Sequence, residues 1–275
     1  MTEYDAAAFD AFESAGWQMA AALYNQHWGA HTSRVVDPLL DAAGVQAGLR
    51  VLDAGSGPGD AAGRAAERGA EATGVDVAAA MVEIAGRRYP AARFVQASAT
   101  ELPFADESFD AAVGNFVILH IGEPDRAIRE LARVLVPGAR VALSTWDDPE
   151  RSPFFAAILG AVGDAGVPPA ADVPPGPSFF QFSDEAVFVD LLATAGFEDV
   201  HTETILLDLP LRSADEVVAA LVEGTVRTAA LLRAADDTQS GRVRESLEAR
   251  IAPWRRGDSF VVPASVKIAS GRKPS

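Results

Sequence analysis

The 275-residue sequence contains no cysteine. That excludes disulfides and thiolate metal sites and removes any support for secretion. Positive charge is scarce: 23 Lys and Arg stand against 39 Asp and Glu, a formal net charge of −16 at pH 7. Such a surface repels phosphate backbones, so no nucleic-acid partner is expected, although a cation is still attracted to it. No apolar run reaches the roughly 18–20 residues needed to cross a bilayer, so no membrane partner is expected either. The opening MTEYDAAAFD carries acids where a signal peptide carries bases, and the expected location is the cytoplasm. No internal repeat is visible, and none of these features speaks to oligomeric state. What is plentiful is apolar material, 49% of the residues, and the length suffices for one large α/β domain or a core domain plus a cap.

Residues 5–43 are alanine-rich, with Phe9, Phe12, Trp17, Ala20 and Tyr24 at helical spacing, and predict an N-terminal helical cap over 1–46. From 47 to 146 short β-type runs alternate with helical ones. LRVLDAG, EATGVDV, ARFVQAS, SFDAAVGNFV and PGARVALSTW are separated by helices, with Gly69 placed to stop one and Pro124 to start another. Two more strands are expected at EDVHTETILLDL and SFVVPASVKIASG, and an amphipathic helix ending at Gly196. Strands alternating with helices predict a doubly wound, Rossmann-like, seven-stranded and mostly parallel sheet. Residues 147–183 include VPPAADVPPGPSFF, which blocks regular helix, and 212–252 reads as helical. Both are expected to be substrate-lid insertions in a single domain spanning 1–275, because long insertions in a compact α/β domain usually serve function.

The stretch VLDAGSGPGDAAG (51–63) puts glycines at 55, 57 and 59 between a strand and a helix, where a ligand meets free N–H groups and a bare backbone. A dinucleotide fingerprint needs a third glycine at position 60 or 62, and those are Asp60 and Ala62. A phosphate loop needs Gly-Lys-Ser/Thr, which is missing. These counts oppose a nicotinamide-dependent dehydrogenase.

Asp-x-Gly-x-Gly-x-Gly remains, and here the chain resembles the class I S-adenosylmethionine-dependent methyltransferases, most closely the ubiquinone/menaquinone-biosynthesis-like branch that acts on small molecules. VLDAGSGPGD resembles the family's first motif and GVDVAAAM its second, while ASATELPFADESFDAAV and ELARVLVPGARVAL resemble its third and fifth strand regions. The resemblance implies S-adenosyl-L-methionine as cofactor. It implies that Asp53, Gly55, Ser56, Gly57 and Gly59 lie against the methionine and ribose, and that Asp76 accepts from the ribose diol with Val77 and Met81 nearby. It implies adenine beside Ser98 and Ala99, with serine standing where the family often has an acid, and Asn115 at the methionine end. Asp60 has two readings: a contact to the methionine ammonium, or a helix-start acid favoured by the dipole.

The acceptor is expected to be a small, largely apolar, ring-containing metabolite methylated on oxygen or carbon. Its pocket is drawn from Trp17, Tyr24, Trp28, Phe116, Trp146, Phe154, Phe179 and Phe180. The same cofactor fold also serves non-methylating cyclisations, the alternative reading. His27 and His31 stand four apart, as zinc ligands can, but no third ligand is apparent, so no metal is expected. His201 is read as structural. His120, just past the fourth strand, is either a general base for the acceptor or a packing residue.

Overall fold

A computed structural model describes residues 4–275. The predicted strands appear as β1 (Arg50–Ala54), β2 (Glu71–Asp76), β3 (Arg93–Gln96), β4 (Phe109–Gly114), β5 (Leu135–Trp146), β6 (Glu198–Leu211) and β8 (Ser259–Arg272). A two-residue β7 (Arg255–Arg256), not foreseen, forms a hairpin with the start of β8. The sheet order is β3-β2-β1-β4-β5-β8-β6. Strands β1 to β5 pair in parallel, and β8 runs antiparallel to both β5 and β6. Strand order reverses between β1 and β4, the place where open α/β sheets bind ligands beyond the carboxyl ends of their strands.

Both faces of the sheet are covered, and the strand sequences show why. In β1, Val51 belongs to the apolar cluster on one face and Leu52 to the cluster on the other, each fully buried. Side chains of a strand alternate faces, so a continuous apolar run is what a doubly covered strand requires. The helix Pro124–Val134 turns Ala127, Ile128, Leu131 and Val134 inward at intervals of three and four, with Pro124 in its first turn as predicted. The helix Glu185–Thr194 is started by Asp184, whose carboxylate accepts from Ala186 and Val187 N–H.

The cap is the 22-residue helix Ala6–His27, started by the Asp5 side chain accepting from Ala8 N–H at 3.0 Å. The expected helical stretch at 212–252 resolves into Ala214–Gly224, Arg227–Arg233 and Asp237–Ile251. Residues 147–183, expected to be a lid insertion, divide into two unlike parts. Residues 167–180 contain no helix, but Pro153–Ala165 is a 13-residue helix with Pro153 in its first turn. Seven of its residues are buried, and it packs on Asp237–Ile251, tied by Arg250 Nη2 to Asp164 Oδ2 at 2.9 Å. Phe154, Ile158 and Val162 sit in the same apolar cluster as Val51 and Val266. This half of the segment is therefore part of the main core.

Candidate active site

Beyond the carboxyl ends of β1, β2, β4 and β5 lies a cavity of about 200 Å³, closed over by the helix Ala6–His27, by Phe179 and by residues 221–228. Two kinds of wall meet in it, and each follows from local sequence.

The first wall is the glycine loop. Asp53 ends the apolar run of β1 and is 1% exposed; its Oδ2 accepts from Ala62 N–H at 2.9 Å, while Oδ1 has no partner among the described residues. Burial pushes its carboxyl up to about 7, with Asp76 and Asp60 adding to the shift and the Ala62 hydrogen bond opposing it. The buried Ser56 hydroxyl likewise lacks a partner there. Buried polar atoms are normally paired, so two unpaired ones on a cavity wall are the arrangement a polar ligand satisfies.

The three glycines differ in what makes them necessary. A side chain at Gly55 would collide with Val117, and one at Gly59 with Ala85 and Phe94. At Gly57 a side chain would meet nothing within 4 Å, and the backbone sits at φ +51°. Gly57 is thus the open cradle. Gly59 does not line the cavity; it was grouped with the ligand contacts from sequence, whereas its bareness serves the packing of the loop on Phe94.

Asp76 ends β2 and spans the two features. Its Oδ2 accepts from Gly57 N–H at 2.8 Å and its Oδ1 from Ala78 N–H at 2.9 Å. Each oxygen keeps a second acceptor position, so the carboxylate both shapes the loop and remains able to take a diol. Burial raises its pKa, against the two N–H donors. Asp60 is engaged elsewhere: Arg88 Nη2 reaches its Oδ1 at 2.8 Å and Tyr89 donates to the same oxygen at 2.7 Å. That ion pair favours the helix-start reading.

Val77 and Met81 line the cavity, as do Ser98 and Ala99. The Ser98 hydroxyl closes its own turn, accepting from Thr100 N–H at 3.1 Å and sharing a hydrogen with Thr100 Oγ1 at 2.7 Å. Asn115 is clamped: its Nδ2 donates to Thr32 O at 3.1 Å and its Oδ1 accepts from Ser144 at 2.7 Å.

The second wall is aromatic. Phe116 and Trp146 stack at 4.3 Å, and Trp17 stands edge-on to Tyr24 at 5.3 Å. Phe154 and Phe155 enter from the unforeseen helix, and Phe179 from the proline-rich loop. The polar tips of this wall are spent inside the chain. Trp28 donates to Ala220 O at 3.1 Å, Tyr24 to Thr32 Oγ1 at 3.2 Å, and Trp17 to Glu13 Oε2 at 3.0 Å. Burial pushes the Tyr24 phenol up to about 12, so it stays neutral. Phe180, expected beside Phe179, does not line the cavity; it packs behind, edge-on to Phe155 at 5.3 Å.

His120 lies in the short helical turn after β4 and reaches the cavity between these walls. Its Nδ1 is 3.0 Å from Glu13 Oε2, and its ring stands edge-on to Trp17 at 4.9 Å. Glu13 and Arg227 escaped the sequence reading. The one local signal was an acid on the apolar face of the first helix, four residues before Trp17. Of the other histidines, His27 pairs with Glu223 at 3.2 Å. His31 tilts against Trp28 at 5.8 Å, and His201 bridges Asp199 O and Ser270 across the β6–β8 ladder. No helix among the described residues is long and apolar enough to cross a membrane.

Residues 52–143 match the family described as Methyltransferase domain. The chain is 30% identical over 170 residues to a demethylmenaquinone methyltransferase of Renibacterium salmoninarum, covering 59% of this chain and 72% of that protein. It is 38% identical over 127 residues to the protein of the same name in Thermus thermophilus, covering 44% of this chain and 56% of that one. For several further relatives of that name the chain spans about half their length. In fold it is similar to an S-adenosylmethionine-dependent methyltransferase of Thermotoga maritima, with a TM-score of 0.57, 18% identity and coverage of 95% of this chain and 99% of that one. It is similar as well to the [4+2]-cyclase SpnF, with a TM-score of 0.54, 21% identity and coverage of 95% and 96%. At such identities the likeness is one of fold alone, and it gives the non-methylating alternative no footing.

Proposed function

The chain belongs to the class I S-adenosylmethionine-dependent methyltransferases, and on that premise we propose that it methylates an oxygen or carbon of a small, neutral, ring-shaped acceptor. The observation that carries this reading is the division of one cavity into a polar loop with unsatisfied acceptors and an aromatic wall with none to spare. Asp53, Ser56, Gly57 and Asp76 hold the cofactor, with Val77, Met81, Ser98 and Ala99 around its adenine side and Asn115 at its methionine end. The acceptor lies among Trp17, Tyr24, Trp28, Phe116, Trp146 and Phe179, recognised by shape and stacking rather than by hydrogen bonds. On the same wall Arg227 is paired with Glu13 at 2.9 Å and Asp10 adds a further carboxyl, so no free cation is left there to favour an anionic acceptor. Because the curated relatives bear the name demethylmenaquinone methyltransferase, quinols rank first among candidates. The cap helix, residues 167–183 and the two helices spanning 214–233 form the cover through which it enters.

S-adenosylmethionine supplies a methyl group on a sulfonium whose sulfur keeps the bonding pair when the methyl leaves. The chain's own task is to align the acceptor, exclude water and receive a proton. A phenolic hydroxyl gives its proton to His120 Nε2; the freed pair, on oxygen or on a conjugated ring carbon, forms the new bond to carbon. Both outcomes thus begin with the same deprotonation. Mass spectrometry of the protein incubated with S-adenosylmethionine and a panel of phenols, quinols and polyketides tests the proposal. A product heavier by one methylene, formed with stoichiometric S-adenosylhomocysteine, is expected. Turnover confined to phosphorylated or carboxylated acceptors would overturn the reading of the aromatic wall.

A further inference from the structure

The reading of His120 as base leaves open what fixes its ring, and the N-terminal helix supplies a group suited to that. Glu13 is 2% exposed, although it is a carboxylate on a helix whose other buried residues are Phe9, Ala20 and Ala21. Two of its three polar contacts are with obligate donors. Its Oε2 accepts from the Trp17 indole at 3.0 Å and meets His120 Nδ1 at 3.0 Å. Its Oε1 faces Arg227 Nε at 2.9 Å, off the line of that N–H, so the contact is one of charge. An indole and a guanidinium can only donate, so the species that fits this setting is the anion. A buried carboxylate is costly unless paired, and here Arg227, 14% exposed at its side chain, provides the counter-charge. Arg227 is held in turn by Pro177 O at 3.0 Å and by the faces of Phe9 and Phe179, 5.3 and 4.9 Å away.

Resting on the proposal that His120 is the base, we propose that Glu13 is its positioning residue. A carboxylate at Nδ1 requires the hydrogen of the neutral imidazole to sit on Nδ1, which leaves the lone pair on Nε2. Nε2 has no hydrogen-bond partner among the described residues, on a side chain that lines the cavity. The same carboxylate stabilises the imidazolium once Nε2 has taken the acceptor's proton. The proton passes from the hydroxyl to Nε2, and the hydrogen on Nδ1 stays with the ring. Asp10 from the same helix and Arg227 from the facing one are the other charged groups lining this part of the cavity.

Two measurements on Glu13→Gln test this. In the wild-type protein, ¹⁵N-histidine NMR at neutral pH should show His120 in the Nδ1–H tautomer. In the variant the two tautomers should mix, with cofactor affinity and the thermal transition retained. With an acceptor from the screen, kcat should fall about 10- to 100-fold with KM within about threefold, and the acid limb of the pH profile should move to lower pH because the imidazolium has lost its anion. Placed on His120→Ala, Glu13→Gln should lower kcat no further. If His120→Ala alone costs 100-fold or more while Glu13→Gln leaves tautomer, limb and kcat unchanged, the positioning role is overturned and the base stands. If His120→Ala costs less than fivefold, the base itself is overturned, and the positioning role falls with it. Should the glutamine variant lose its thermal transition, Glu13→Asp is read the same way. It keeps the charge near Arg227 but withdraws the carboxylate from Nδ1 by one methylene.

Discussion

On the strand side of the cavity, Asp53 and Ser56 present acceptor atoms with no partner in the chain; on the cover side, Trp17, Tyr24 and Trp28 give their polar tips to neighbouring residues. The first wall is under-satisfied until a polar ligand arrives, and the aromatic tips of the second are satisfied before one does. An unsatisfied buried group makes a site specific for the partner that completes it, since anything lacking the matching donor leaves the cost standing. A self-satisfied aromatic surface discriminates by volume and stacking, which separate close analogues by only about 1–3 kcal/mol. Strict cofactor choice and looser acceptor choice are the expected result. Substitutions on the two walls should separate accordingly.

The largest effect is expected where the walls meet. His120→Ala should lower kcat on a hydroxyl acceptor by about 10²–10⁴-fold, the usual range for a general base, with calorimetric cofactor affinity unchanged. A parallel loss of cofactor affinity would put His120 on the strand side of the divide. Next is Gly57→Val. The branched side chain occupies the open cradle and must adopt φ +51°, so S-adenosylhomocysteine should bind about 100-fold more weakly, roughly 2.7 kcal/mol. Calorimetry giving wild-type affinity would mean no ligand approaches that backbone.

Asp53 provides a pH-dependent test. Its folded pKa of about 7 lies above the ordinary 3.8, so the folded chain holds a proton that the unfolded chain has released. The stability tied to that proton is complete below about pH 4 and is lost as pH rises through 7. Asp53→Asn removes the penalty, so denaturant melts of the unliganded variant should gain on the wild type by about 2 kcal/mol between pH 5 and 7. A gap that stays constant with pH would show that the acid is not held neutral. The smallest effect distinguishes neighbours: Phe179→Ala should raise acceptor KM about tenfold while cofactor affinity stays within about twofold. Phe180→Ala should leave KM alone and lower the melting temperature, being a packing residue behind the wall. Equal effects of both on KM would enlarge the pocket to include Phe180.

The glycine loop and seven of the eight expected pocket aromatics were legible in the sequence, whereas the helix Pro153–Ala165 and the pair Glu13 and Arg227 were not, and the reason lies in the range of the signals. VLDAGSGPGD carries strand, acid and glycines within ten residues, so local steric rules suffice to read it. The helix Pro153–Ala165 was obscured because apolar Ala156 and Leu159 on its exposed face blur the period of the buried one, and the two glycines within it look like breakers. Gly160 is there because the Arg250 guanidinium packs where its side chain would be. Glu13, His120 and Arg227 meet from three distant parts of the chain, and no periodicity connects them. Gly59 comes to the site through the motif and Phe180 through its aromatic cluster, yet neither lines the cavity, because neighbouring residues along a loop turn to different sides.

The insertion of β8 between β5 and β6 has a consequence for synthesis. Among the described residues β6 pairs with no strand but β8, and β5 presents an open edge until Val266–Arg272 pairs with it. During translation, therefore, the parallel half of the sheet can assemble while the other half waits for residues 259–272. Pairing between strands more than a hundred residues apart is slow to form, and an open edge invites other chains meanwhile. A chain halted before Ser259 would leave β6 with no strand to join.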